Sequence, residues 1–234
     1  MPSIADVAKD LLANPRPVLC LDTCELLAAV QGLSQGRGDY VAALFRLYTS
    51  FTAKPDCVMI VVTELVVHEF GQNIAAVRTK ATEFLAKADA ESARIHRAFG
   101  HINQPLPTAP SNHVVSPLVA ELAALAQQVL NAANILDNAP ICTDRAISRV
   151  RAKERPSHDG RIKDSLHIEH YLELSRQLHN QGFQKRRVFV SGNRGDFCQG
   201  RNSSHLHASL DPQFAAAGLE FFASLAAALG SLRI

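Results

Sequence analysis

Four short, predominantly apolar runs stand out in a chain whose other apolar positions mostly recur every three or four residues. VLCLD at 18 to 22, CVMIVV at 57 to 62, VFV at 188 to 190 and LEFF at 219 to 222 have the length and composition of buried strands. Between them the spacing is helical. Ser3 caps a helix striped by Ile4, Val7 and Leu11, which Pro15 and Pro17 end. TCELLAAVQG reads as a helix stopping at Gly32, and residues 39 to 51 as another. Thr63 is the expected N-cap, with Glu64 in the first turn, of a long helix reaching about Phe99. The Pro- and Asn-rich stretch from Gly100 to Pro117 connects it to an Ala- and Leu-rich helix. Residues 134 to 163 show no period and read as irregular. Asp164 then takes the cap position of the helix DSLHIEHYLELSRQLHN, and SLAAALGSL closes the chain.

Short apolar strands alternating with helices predict an α/β fold: a three-layer αβα sandwich around a mainly parallel, Rossmann-like sheet. At 234 residues the expectation is a single domain, with a helical and loop insertion at about 85–135 and a basic loop at about 137–163. No apolar stretch approaches the roughly 20 residues of a membrane span. The five cysteines are odd in number and form no CxxC pair, so Cys20, Cys24, Cys57, Cys142 and Cys198 read as small reduced thiols. A cytoplasmic protein is expected. The net charge of +2 is too small to name a partner by itself.

The carboxyl ends of the strands change the picture. Asp22 closes the first strand, and Asp196 follows the third in the loop SGNRGD. Open parallel sheets bind ligands beyond those ends. Two glutamates on the second helix compete for the same edge. Glu64 and Glu69 stand about 140° apart around a helix and cannot share a face. Glu64 is explained by the helix terminus, whereas Glu69 lies on the inward side with Leu65 and Val66 and is the better candidate. Asp164 is the fourth acid. Singly, Asp164 reads as an N-cap, Asp22 as a cap for the next helix and Asp196 as a turn residue. Jointly, gathered carboxylates repel one another unless a cation sits among them, and all-oxygen donors suit Mg²⁺ or Mn²⁺.

In this order VLCLDT, TELVVHEF, KDSLHIEHYLEL and VFVSGNRGDF resemble the PIN domain family, and HLHASLDPQFAAAGLEFFASL is similar to the end of larger bacterial PIN-like proteins. The chain departs from the family in carrying SLH after Asp164, where small residues are commoner, and in exceeding the compact toxin-type members in length. The resemblance implies a metal-dependent nuclease cutting phosphodiester bonds to 5′-phosphate and 3′-hydroxyl ends, in single-stranded RNA before DNA. It implies Asp22, Glu69, Asp164 and Asp196 as catalytic metal ligands, with Asn193 beside the metal and Ser191, the hydroxyl after the strand, binding the substrate phosphate. A second copy of the chain and an antitoxin-type protein are admitted as partners, and a membrane is not.

Arg149, Arg151, Arg161 and Lys163, in the basic segment, are expected to grip phosphates. Tyr171 and Phe197 read as packing residues before base-stacking ones. His167 and His170 stand three apart on a helix, and His205 and His207 flank Leu206, but no third ligand completes a zinc spacing. Two further readings compete with the nuclease: a non-catalytic PIN-like module binding RNA or protein, and a metal-dependent phosphohydrolase acting on small molecules.

Overall fold

The computed structural model describes residues 1–35, 38–101, 112–113 and 117–234. Among them, five strands form one sheet: β1 (Val18–Leu21), β2 (Met59–Thr63), β3 (Asn134–Leu136), β4 (Arg187–Val190) and β5 (Glu220–Phe222). Their order is β3-β2-β1-β4-β5 and every pairing is parallel. The order reverses between β1 and β4, and a crevice opens there beyond their carboxyl ends.

β1, β2 and β4 are buried on both faces, so their side chains divide between two cores. Leu19, Leu21, Ile60, Val62, Val188 and Val190 point into the first core. It is closed by α2 (Thr23–Gln35), α3 (Gly38–Ala53), α4 (Glu64–His101), α5 (Leu118–Asn131) and α10 (Leu225–Leu232). Val18, Cys20, Met59, Val61 and Phe189 point into the second. That face is covered by α1 (Ile4–Ala13), α6 (Pro140–Ala152), α7 (Lys163–Asn180) and α9 (Asp211–Ala217). The result is the expected three-layer αβα sandwich. Phe189 anchors an aromatic cluster with Tyr171, Phe197, Phe214 and Phe221, and the Tyr171 hydroxyl donates to the Leu21 carbonyl at 2.7 Å. Tyr171 and Phe197 are thus packing residues, with no face left for a base.

Several local expectations are corrected. Residues 134 to 163 are only partly irregular: β3 adds an edge strand, α6 follows it to Ala152, and the irregular part is confined to residues 153 to 162. The buried stripe of α6 is Cys142, Ala146 and Arg149, too weakly apolar to announce itself as a helical period. α2 continues past Gly32 to Gln35. Thr63 ends β2 rather than capping α4. Ile162, not Asp164, occupies the N-cap of α7, and no side chain caps that end. Of the proposed insertion, α5 buries Val119, Leu122, Ala126 and Val129 in the first core, while residues 102–111 and 114–116 lie outside the described residues. The described thiols are free, and no helix among the described residues is long and apolar enough to cross a membrane.

Arg149 does not line a mobile basic loop. It is 6% exposed and donates to Glu169 Oε1 at 2.5 Å, to the Arg155 carbonyl at 3.0 Å and to Gln213 Oε1. One guanidinium therefore ties α6 to α7 and α9. Removing it strands a buried carboxylate, so Arg149→Ala should cost about 3–5 kcal/mol. The exposed neighbour Arg151→Ala should stay within about 0.5 kcal/mol of the parent. Urea unfolding of both variants reads the contrast.

Candidate active site

β1 delivers Asp22 and β4 delivers Ser191 to the switch point, because the two strands pair in register from Val18 with Arg187 to Leu21 with Val190. Both side chains are buried, and the Ser191 hydroxyl donates to Asp22 Oδ2 at 2.5 Å. Ser191 is thus spent on orienting the carboxylate and does not face the cleft as a phosphate contact. The Cys24 thiol also reaches Asp22 Oδ2, at 3.3 Å, and accepts from the Gly192 amide at 3.2 Å. This half-buried thiol belongs to the wall of the site and not to the core.

Asp164 enters from the first turn of α7, and Asp196 from the short helix α8 (Arg194–Phe197). Asn193 joins them, its amide donating to Asp196 Oδ2 at 2.7 Å and to Asp164 Oδ2 at 3.4 Å. Burial, then the charges of Asp22 and Asp196 and more weakly Glu69, push the Asp164 carboxyl up to about 7. Asp22, Asp196 and Glu69 thus lie near enough to Asp164 for their charges to act on it. Among the described residues, no three His, Cys, Asp or Glu side chains stand close enough to grip an ion as they are. Asp22 and Glu69 lean instead on donors of their own, while Asp164 and Asp196 share the Asn193 amide.

Glu69 leans hardest. Lys163 Nζ lies 2.9 Å from its Oε1, the Thr23 hydroxyl donates to Oε2 at 2.9 Å, and His167 Nε2 stands 3.5 Å from the same oxygen. Burial works against its charge, but the bonds from His167, Lys163 and Thr23 prevail and hold the carboxyl at about 2. Glu69 is half-buried and Glu64 exposed, as their places on the helix predict. His167 is a buried network member, with Nδ1 at 2.7 Å from the Thr63 hydroxyl. His170 takes the Ala139 amide on Nε2 at 3.0 Å and bonds the Leu166 carbonyl through Nδ1 at 2.7 Å, so neither histidine belongs to a zinc pair.

Two features escaped the sequence reading. Glu25 is 2% exposed behind Asp22, where burial above all pushes its carboxyl up to about 7 and the Leu225 amide at 3.0 Å opposes the rise. Its place in the first turn of α2 looked like ordinary helix-dipole chemistry. A Cβ on Gly192 would sit 2.9 Å from Glu25 Oε1, so a side chain there would have to displace the buried carboxylate. The second feature is cationic. A cleft of about 830 Å³ beside Asn193 and Asp196 is lined by Arg155, His158, Arg161, Arg194 and Arg201. Arg155 is committed to the Gly195 and Asp196 carbonyls, and Arg161 to Asp159 at 2.7 Å. The Arg194 and Arg201 guanidinium groups make no hydrogen bond or ion pair among the described residues. The signal for them was arginine beside glycine in the loop following β4. Of the four cations named from sequence, Arg161 lines this cleft and Lys163 reaches Glu69, Arg149 is buried, and Arg151 is exposed on α6 outside the cleft lining.

The sign of the Asp164 shift fixes a pH dependence. Its folded pKa is raised from 3.8 to about 7, so the stability it allows is complete below pH 4 and is lost as pH rises towards 7. Each unit is worth about 1.4 kcal/mol, which bounds the loss at about 4 kcal/mol. Asp164→Asn should therefore be more stable than the parent at pH 8 in EDTA, by the order of 2 kcal/mol, with the gap closing by pH 4. Thermal melts across that range measure it.

Comparisons with models of known protein families, with curated proteins and with solved structures return no match for this chain.

Proposed function

We propose that the chain is a divalent-metal-dependent nuclease of PIN-like type, hydrolysing phosphodiester bonds in single-stranded RNA in the cytoplasm. One observation carries the reading. Asp164 is a half-buried carboxyl crowded by Asp22, Asp196 and Glu69, with a single weak donor at 3.4 Å among the described residues. Repulsion left unrelieved inside a crevice is the expected state of a cation site.

The donors fit Mg²⁺ or Mn²⁺ in part. Asp22, Asp164 and Asp196 would hold the ion, since each has carboxylate oxygen to spare, with the Asn193 amide beside them. Glu69 fits less well, because both its oxygens are already engaged. We assign it to holding Lys163 at the mouth of the site. When bound, such an ion lowers the pKa of water and neutralises charge on the phosphate. Ser191 and Asn193 fix the carboxylates in place, so the ligands need little reorganisation. The Lys163 ammonium meets phosphate oxygens at the edge of the acids. Arg194 and Arg201 supply the sequence-independent grip on the backbone that Arg149 cannot.

Incubation of the purified protein with labelled single-stranded RNA and Mn²⁺, against an EDTA control, tests the reading. Cleavage should require the metal and fall by at least about a hundredfold in Asp22→Asn and Asp164→Asn. Arg194→Ala with Arg201→Ala should instead weaken RNA binding and flatten its salt dependence by about one to two units of slope. Equal cleavage by parent and both Asn variants would remove the acids from the chemistry. Turnover of small phosphate esters, unchanged by the arginine pair, would favour the small-molecule phosphohydrolase.

A further inference from the structure

A second cavity, of about 290 Å³, opens at the same carboxyl edge, over β2 and β3 rather than β1 and β4. It is joined to the acidic cluster through shared walls. Thr63 lines it, and the Thr63 hydroxyl bonds His167, whose other nitrogen faces Glu69. Leu166, also in its lining, lies two residues beyond Asp164 on α7. The cavity sits at the lower bound of the roughly 300–1,000 Å³ usual for ligand pockets, which is room for one planar base and not for a stacked pair.

Its chemistry is that of a base site. Leu65, Leu136 and Leu166 supply apolar walls. His170 adds a ring whose two nitrogens are already bonded to Ala139 and Leu166, so the cavity meets its carbon surface. Three polar side chains in the lining remain uncommitted among the described residues: the His68 ring, the Glu64 carboxylate and the Asn138 amide. The Glu64 carboxylate has no hydrogen bond or ion pair among the described residues. Asn138 accepts from the Thr143 hydroxyl on Oδ1 at 3.0 Å, so the amide NH₂ is what it offers the cavity.

We propose that this cavity receives a single unstacked guanine from the RNA strand whose phosphate meets the acidic cluster. Unpaired bases are read in this manner, on their Watson–Crick edges against a stacking surface. Guanine is singled out by the carboxylate. It alone presents two neighbouring donors, N1–H and N2–H, that a carboxylate accepts as a pair, while its O6 takes the Asn138 amide. Adenine and cytosine would set a ring lone pair against Glu64, and uracil would flank its one donor with two carbonyl oxygens. Glu64, which helix-terminus chemistry alone explains in the sequence, thereby gains a specific task. The inference rests on the nuclease reading for its source of RNA, but not for the binding itself.

The test uses the full chain without any divalent ion. Leucine methyl NMR follows titration with the 5′-monophosphates of guanosine, adenosine, cytidine and uridine. The guanosine nucleotide should shift the Leu65, Leu136 and Leu166 methyls and bind at least about tenfold tighter than the other three. Glu64→Gln, a conservative change at an exposed position, should keep the melting temperature and abolish that preference. Asn138→Ala should weaken guanosine binding while sparing adenosine. Equal affinity for all four, shifts confined to methyls elsewhere, or an unchanged preference in Glu64→Gln would each overturn the proposal. Guanosine selectivity without RNA cleavage would leave the pocket standing and remove the nuclease. Metal-dependent cleavage without guanosine binding would do the reverse.

Discussion

Negative charges set side by side in a poorly hydrated crevice must be protonated, paired or bridged, and this constraint organises the molecule around its switch point. The sheet leaves no choice about where the acids go. β1 and β4 run in register, so a residue following one strand faces a residue following the other. Asp22 and Ser191 meet for that reason, and α7 and α8 then bring Asp164 and Asp196 to the same place. The surrounding donors relieve the crowding unevenly. Glu69 is fully compensated, held at about 2, whereas Asp164 is pushed to about 7. An inequality of this size between neighbouring carboxylates is the physical signature on which the functional reading depends.

The rest of the fold supplies rigidity to that edge. Tyr171 bonds the Leu21 carbonyl and packs on Phe189, locking α7 against the centre of the sheet one residue before Asp22. Arg149 and Glu169 clamp α6 onto α7 from the outer side. Arg155, at the far end of that segment, holds the carbonyls of Gly195 and Asp196. The segment that looked like a basic binding loop in the sequence is therefore mostly scaffold. Of the cations lining the cleft, Arg155 and Arg161 are tied to neighbours, whereas the guanidinium groups of Arg194 and Arg201, on α8 and the loop after it, carry no partner among the described residues.

How much was legible follows from the kind of signal each element leaves. β1, β2 and β4 are buried on both faces and announce themselves as continuous apolar runs. β3 is three residues long, NIL, and half-exposed, so its run is too short to register. α6 hid because its inward stripe uses cysteine, alanine and a paired arginine. Asp22 after β1 and Asp196 after β4 were placed at the carboxyl edge because strand ends in a parallel sheet are fixed by topology, and Glu69 and Asp164 by their positions on α4 and α7. Their partners were not: that Ser191 would spend itself on Asp22, or Lys163 on Glu69, depends on side-chain geometry no spacing encodes. Glu25 was invisible because an acid in a first helical turn already has an explanation.

Calorimetric titration of the metal-free protein with Mn²⁺ at pH 7, in buffers of different ionisation enthalpy, addresses the central claim most directly. If the acids form a cation site, binding should release a proton fraction from Asp164, seen as a buffer-dependent heat, and both binding and proton release should vanish in Asp164→Asn. Binding of equal strength in that variant, or no binding in the parent, would contradict the account.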